Sequence, residues 1–99
     1  MPTRESFIES LKENVAVWKA EVERLQVNAD RIDNKEMGHY SATIKEIIAK
    51  IQQVENQFTV EGISRSDTWQ ALRKRSEAAG SDIELLINQA AQRFLPDID

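Results

Sequence analysis

The sequence predicts an all-α protein, and three observations support this fold class. The chain has 99 residues but only two prolines and three glycines, so signals for hairpin turns are nearly absent. Apolar residues recur at spacings of three and four over most of the chain, which is the period of an amphipathic helix. Charged residues make up 30% of the chain, as expected for helices with solvated outer faces. We therefore expect residues 1–99 to form a single helical coiled-coil or bundle domain.

The first helix is predicted to begin near residue 4. Thr3 suits the N-cap position, and Glu5 suits the first turn, where the helix dipole favours a negative charge. From residue 8 onward, the positions at alternating spacings of three and four are all apolar, which predicts the seam of a heptad repeat. This first seam comprises Ile8, Leu11, Val15, Trp18, Val22, Leu25, Ala29 and Ile32.

A second seam with the same spacing follows after one extra residue. The segment 33–35 between the seams is therefore either a tight turn or a phase slip within one long helix. The second seam comprises Met37, Tyr40, Ile44, Ile47, Ile51, Val54 and Phe58.

Two features favour the continuous helix over the turn. Residues 18, 29, 40 and 51 are apolar and spaced by eleven, and a nearly straight helix keeps such residues on one stripe. Gly38 lies six residues past Ile32, too far to be the glycine that ends a helix there. The preferred prediction is one long helix over about 4–60. The alternative is a three-helix up-down-up bundle with a turn near 33–36.

A further helix is predicted after a turn at Gly62. This glycine stands where a helix C-terminus needs a left-handed residue, and Ser64 and Asp67 have the spacing of a capping box for the next helix. That helix is predicted over about 66–95, with Pro96 just past its end. Because the connection is short, we expect an antiparallel helical hairpin.

The two predicted helices differ in length, which leaves part of the first seam uncovered. A helix over 4–60 is about 85 Å long and one over 66–95 about 45 Å. Monomeric proteins rarely leave so long an apolar stripe in water. We therefore expect self-association, most simply a homodimer, and an unidentified protein partner is a second option. The predicted oligomer interface comprises Ile8, Leu11, Val15, Trp18, Val22 and Leu25.

Composition excludes several classes of function. The chain has no cysteine and one histidine, His39, which rules out thiolate metal sites and most catalytic constellations. The net charge of −4 opposes binding to nucleic-acid phosphates. We find no signal-peptide pattern and no apolar run long enough to span a membrane. We expect a cytoplasmic protein that is not an enzyme and has no cofactor.

One weak pattern for metal binding is Glu36-x-x-His39. Its i, i+3 spacing is the one that di-iron carboxylate bundles use to direct two ligands into a core. Such a site needs further carboxylates at core positions, whereas the neighbouring seam residues are apolar. We predict no metal site, and Glu36 and His39 are the candidates if one exists.

Four stretches of the sequence carry a resemblance to a known group of proteins. They are Arg4-Glu5-Ser6-Phe7-Ile8-Glu9-Ser10-Leu11 with Trp18 and Leu25, Tyr40 with Ile44-Lys45-Glu46-Ile47, Asp67-Thr68-Trp69-Gln70-Ala71-Leu72, and Ala90-Ala91-Gln92-Arg93-Phe94. In these stretches the chain resembles small uncharacterised bacterial proteins described as coiled-coil domain-containing. The resemblance implies a helical architecture with no known catalytic activity, and it supplies no functional residues.

These features together predict a non-catalytic, self-associating helical coiled-coil protein with a structural or protein-interaction role. One alternative is a helical bundle that binds a metal or a small ligand between its helices, with Glu36, His39 and Tyr40 as the candidate residues. A stress-linked or lipid-associated helical protein is a third possibility.

Overall fold

The computed structural model describes residues 3–94, and these residues form an all-α bundle, as the sequence predicts. Three long helices run up, down and up, and a short helix fills the corner between the second and the last. The bundle is elongated, with extents of 49 × 23 × 18 Å. The helices are α1 (Arg4–Val27), α2 (Met37–Gln57), α3 (Val60–Arg65) and α4 (Trp69–Phe94).

The single helix predicted over about 4–60 is wrong, and the alternative three-helix topology is the one observed. Residues 28–36 separate α1 from α2 and include a short 3-10 turn. Asn28 closes α1, because its backbone N–H and its side-chain amide both donate to the carbonyl of Arg24. Ile32 has an extended backbone and is buried. The chain therefore reverses direction while Ile32 stays in the core.

Burial of the first seam is the physical reason for this reversal. In one long helix, much of that seam would face water, whereas the reversal packs α1 against both α2 and α4. The turn needs no left-handed residue, since no described residue has a positive φ. The eleven-residue spacing persists across the turn because Ala29 and Tyr40 both adjoin the core. Such spacing indicates which residues face the core, and does not show that the helix between them is continuous.

The turn predicted at Gly62 is also wrong. α2 ends at Gln57, and the side chain of Thr59 caps α3 by accepting a hydrogen bond from the Gly62 N–H at 3.0 Å. Gly62 is therefore a helical residue in the first turn of α3, with no positive φ. Ser64 lies inside α3 instead of capping the last helix, which begins at Trp69. Thr59 is a favourable N-cap. Helix α3 therefore begins at Val60, and α2 ends at Gln57, five residues before Gly62.

The two ends of the predicted helical region agree more closely with the structure. Thr3 caps α1 in a reciprocal capping box, in which its hydroxyl accepts from the Ser6 N–H and its own N–H donates to the Ser6 hydroxyl. The last helix spans Trp69–Phe94, against a predicted range of about 66–95. Residue 95 and Pro96 lie outside the described residues.

An apolar core runs the length of the bundle. Phe7 and Trp69 stack at one end, with ring centroids 6.3 Å apart. Tyr40 and Phe94 form an edge-to-face pair at the other end, with centroids 5.5 Å apart. The most completely buried large side chains come from three different helices and are Ile47, Ile63 and Ile83.

In the middle of the bundle, α4 packs closely against Trp18 of α1 at Gly80. A Cβ atom on Gly80 would lie 3.1 Å from Cζ2 of Trp18, closer than an ordinary van der Waals contact. Trp18 itself is only 3% exposed. The absence of a side chain at Gly80 therefore provides the space that the indole ring of Trp18 occupies.

Candidate functional site

One surface feature is an apolar groove between α1 and the corner where α2 meets α3. Its volume is about 260 Å³. Apolar side chains form most of its lining, and one basic and one acidic side chain lie beside them. We call it the α1–α3 groove, and it is lined by Ile8, Leu11, Lys12, Val15, Glu55, Phe58, Thr59, Val60 and Ile63.

Two local features of the sequence create this groove. On α1, Ile8 and Val15 lie at the edge of the core and are only partly buried. On the other side, the new helix start at Thr59 turns the chain so that Val60 faces outward with 48% of its surface exposed. Ile63, one turn later in α3, is almost fully buried and anchors the corner. Apolar surface therefore continues from the core out to solvent.

The groove has a basic side and an acidic side. Lys12 lies on the α1 side and Glu55 on the α2 side. Lys19, two turns beyond Lys12 on α1, places its Nζ atom 2.9 Å from Oε2 of Glu55. This ion pair is solvent-exposed, so it contributes at most about 1 kcal/mol to stability. It crosses from α1 to α2 and marks the end of the groove.

A second, smaller cleft between α1 and α2 adjoins the groove. Its volume is about 170 Å³, and Glu55 lines both cavities. Ile48, which is partly buried, lies in this cleft together with Val22 and Ile51. One face of the bundle, built by α1, α2 and α3, therefore carries apolar surface on both sides of the Lys19–Glu55 pair.

The six residues predicted as an oligomer interface occupy two different environments. Ile8, Val15 and Leu11 line the α1–α3 groove. Ile8 and Val15 are partly buried, and Leu11 has 9% of its surface exposed. The remaining three belong to the core of the same chain. They are Trp18, Val22 and Leu25, at 3%, 5% and 3% exposure. The first seam is thus largely covered within the chain, and its partly exposed members are Ile8, Val15 and Ala29.

Glu36 and His39, the candidates for a metal, do not converge on a common site. The Glu36 carboxylate accepts hydrogen bonds from Nε and Nη2 of Arg93, at 3.1 and 2.9 Å. His39 is exposed. Within residues 3–94, no three histidine, aspartate or glutamate side chains come together as metal ligands. The Glu36–Arg93 pair instead ties the start of α2 to the end of α4.

Among residues 3–94, Tyr40 is an ionisable side chain of the core that contacts a backbone group of another helix. Its hydroxyl donates a hydrogen bond to the carbonyl of Leu25 at 3.0 Å. Leu25 lies in the last turn of α1, where carbonyls lack a following helical N–H as donor. Burial raises the pKa of Tyr40 above its ordinary value of 10.0. The Tyr40 hydroxyl therefore caps the C-terminal end of α1.

Sequence reasoning missed the α2–α3 side of the groove. Phe58 was expected at the end of a helical seam, and Val60 and Ile63 were expected beside a turn. The signal for the actual arrangement is Thr59 followed by Val60 and Glu61, because a capping residue followed by an acidic first turn is typical of a helix start. The positions of Lys12 and Glu55 at the groove could not be predicted from the sequence, because both residues lie among many other charged residues.

Comparison of the chain with known protein families, with characterised proteins and with solved structures finds no match. The resemblance to coiled-coil domain-containing proteins therefore stays an interpretation of the sequence pattern. Among the described residues, no helix combines the length and the apolar character that crossing a membrane requires.

Proposed function

We propose that this chain is a non-catalytic helical interaction module that associates with a second copy of itself through the α1–α3 groove. The observation that carries the proposal is the groove itself, in which partly buried Ile8 and Val15 meet the exposed Val60. Apolar surface that is continuous with a core and open to water is typical of protein-interaction sites. The homodimer that we propose would use a smaller surface than the six-residue seam predicted from the sequence.

Two further features favour an interaction role over a catalytic one. Among residues 3–94, the only histidine is exposed and no group of potential metal ligands comes together. The groove is open and contains one carboxylate, Glu55, which is already paired with Lys19. Such a surface suits the packing of apolar side chains from another protein more than proton transfer or nucleophilic attack.

The test is the mass of the protein in solution as a function of concentration. Light scattering after size exclusion, from low micromolar to millimolar protein, should show a reversible monomer–dimer equilibrium. The variant Val60→Glu should weaken dimerisation at least about tenfold, because a carboxylate would enter the apolar contact without a partner. Val60 is half-exposed and lies in the first turn of α3, where a glutamate is compatible with the helix.

The matched control is Val17→Glu. Val17 is also an exposed valine, at 56%, and lies on α1 outside the groove. Its substitution should leave the dimer unchanged, while circular dichroism verifies that both variants are folded. A protein that stays monomeric at every concentration, or one whose dimer responds equally to both substitutions, would refute the proposed role of the groove.

A further inference from the structure

We propose that this chain also forms a dimer by exchange of α1, in which the turn between α1 and α2 straightens and α1 packs into the core of a second copy. Helix α1 then makes the contacts of the described bundle with α2, α3 and α4 of the partner. This inference goes beyond the proposed function, because it depends on the core contacts of α1 and not on the α1–α3 groove.

The turn between α1 and α2 has a backbone that is compatible with a helix. Residues 28–36 contain neither glycine nor proline, and no described residue has a positive φ. The turn therefore does not depend on a left-handed residue, which a helix excludes, or on a proline, which interrupts one. Every residue of the turn can adopt helical dihedral angles.

The hydrogen bonds of the turn are local, and a continuous helix replaces them. The backbone N–H groups of Arg31, Ile32 and Glu36 each donate to the carbonyl three residues earlier, at 3.1, 3.1 and 2.8 Å. In a continuous helix, each of these N–H groups donates to the carbonyl four residues earlier. Straightening therefore exchanges one set of backbone hydrogen bonds for another.

The residues that face the core keep a common face when the turn straightens. Ala29 and Tyr40 lie on either side of the turn, and both adjoin the core of the bundle. An interval of eleven residues in a straight helix amounts to three full turns plus only about 20°. The spacing thus permits a continuous helix whose apolar face still meets the rest of the bundle.

A second copy of this chain carries the surface that a displaced α1 fits. The indole ring of Trp18 occupies the space beside Gly80, and Phe7 stacks on Trp69 with ring centroids 6.3 Å apart. Removal of α1 from its own bundle exposes these sites on α4, and α1 of an identical chain restores each contact. Such exchange of an identical element is a low-cost route to a dimer.

The exchanged dimer differs in shape from the single bundle. Helix α1, the straightened turn and α2 together form a helix over residues 4–57, about 81 Å long. The longest extent of the bundle is 49 Å. Small-angle scattering should therefore show a maximum dimension for the exchanged dimer that clearly exceeds the length of one bundle.

The decisive experiment is a cross-link between Lys19 and Glu55, whose Nζ and Oε2 atoms are 2.9 Å apart. A carbodiimide joins these two groups directly by an amide bond. Chains with and without heavy-nitrogen labelling are mixed in urea, refolded together at millimolar concentration and separated by size exclusion. The dimer fraction should contain Lys19–Glu55 cross-links between a labelled and an unlabelled chain, and the monomer fraction only cross-links within one chain.

Substitutions in the turn should change the amount of exchanged dimer in opposite directions. Asn34 follows Asp33 in the turn that the Glu36 N–H closes on the Asp33 carbonyl, a position where proline is favoured. Proline interrupts a helix, so Asn34→Pro should reduce the exchanged dimer at least about a hundredfold. Asp33→Ala combined with Asn34→Ala removes the hydrogen bond from the Lys35 N–H to Asp33 Oδ1 and raises helix propensity. This double variant should increase the exchanged dimer at least about tenfold.

Val60→Glu separates this proposal from the proposed function. It should weaken the groove dimer of the native protein and leave the exchanged dimer unchanged, while Asn34→Pro should do the reverse. Circular dichroism verifies that each variant is folded.

Three results would contradict the exchange of α1. A dimer fraction in which all Lys19–Glu55 cross-links lie within one chain overturns the exchange and leaves the proposed function standing. The exchange is also overturned if the double alanine variant forms no dimer on refolding, or if the proline and alanine variants form equal amounts. Mixed-label cross-links after refolding, from a chain that stays monomeric under native conditions, support the exchange and overturn the groove dimer.

Discussion

The close contact between Gly80 and Trp18 allows a prediction about substitution of a glycine inside a helix. Replacing a helical glycine by alanine ordinarily stabilises a protein by up to about 1 kcal/mol, because the unfolded chain loses less conformational freedom. At Gly80 the added Cβ would lie 3.1 Å from Cζ2 and 3.3 Å from Cη2 of Trp18. The expected sign of the effect therefore depends on whether the indole ring can move.

We expect movement of the ring to have a cost, because its contacts with the core would change. Trp18 lies on α1, is 3% exposed and belongs to the apolar core that packs against α4, and it also lines a cavity of about 290 Å³ between α1 and α4. Overpacking of such a site typically costs about 1–3 kcal/mol. After subtraction of the gain in helix propensity, Gly80→Ala should lower the free energy of unfolding by up to about 2 kcal/mol.

Gly38→Ala is the matched control. Gly38 also lies in a helix, is exposed, and has no atom within 4 Å of an added Cβ. This substitution should raise the free energy of unfolding by up to about 1 kcal/mol. The two glycine-to-alanine changes should thus have opposite signs and differ by about 1–3 kcal/mol.

Urea denaturation followed by circular dichroism measures both effects. A Trp18→Phe background removes the two indole atoms nearest to position 80, so Gly80→Ala should be less harmful there, with a coupling energy of about 0.5–3 kcal/mol. Equal stabilisation by Gly80→Ala and Gly38→Ala, or absence of coupling to Trp18, would show that α4 does not approach the indole as described.

Three further predictions concern the core, the end of α1 and the start of α3. Ile47 has no exposed surface, so Ile47→Ala should lower the free energy of unfolding by about 2–5 kcal/mol in urea denaturation; a loss below 1 kcal/mol would place Ile47 outside the core. Tyr40→Phe should cost about 1–2 kcal/mol, because the Leu25 carbonyl loses its donor. Since burial raises the pKa of Tyr40 above 10.0, the unfolded chain releases this proton first, and the stability that Tyr40 contributes should fall as pH rises from about 10 toward the folded-state pKa. In the Tyr40→Phe variant this part of the alkaline loss should be missing from a pH series of unfolding curves. Gly62→Ala should change the free energy of unfolding by less than about 0.5 kcal/mol, because two effects oppose each other. The new Cβ would lie 2.9 Å from the Thr59 hydroxyl, which disturbs the cap, whereas alanine has a higher helix propensity than glycine. A large loss of stability would instead favour a left-handed conformation at Gly62.

The candidate site could be predicted only in part. Ile8, Leu11 and Val15 follow from the heptad spacing, because that spacing places them on the inward side of α1. The positions of Phe58, Val60 and Ile63 on the other side of the groove could not be predicted in this way. They depend on the start of a new helix at Thr59, where the chain changes direction. The uncovered part of the first seam is therefore shorter than expected, since α2 and α4 bury Trp18, Val22 and Leu25.

The sequence by itself determined the helical class, the N-cap at Thr3 and most of the core. Helix propensity and the spacing of apolar residues by three and four depend only on residues that are close in sequence, so both can be assessed without knowledge of the fold. The tertiary structure decided whether residues 28–36 form a turn and which part of the first seam stays exposed. Both outcomes depend on the comparison between burying a seam within the chain and leaving it in water, and that comparison involves residues far apart in sequence.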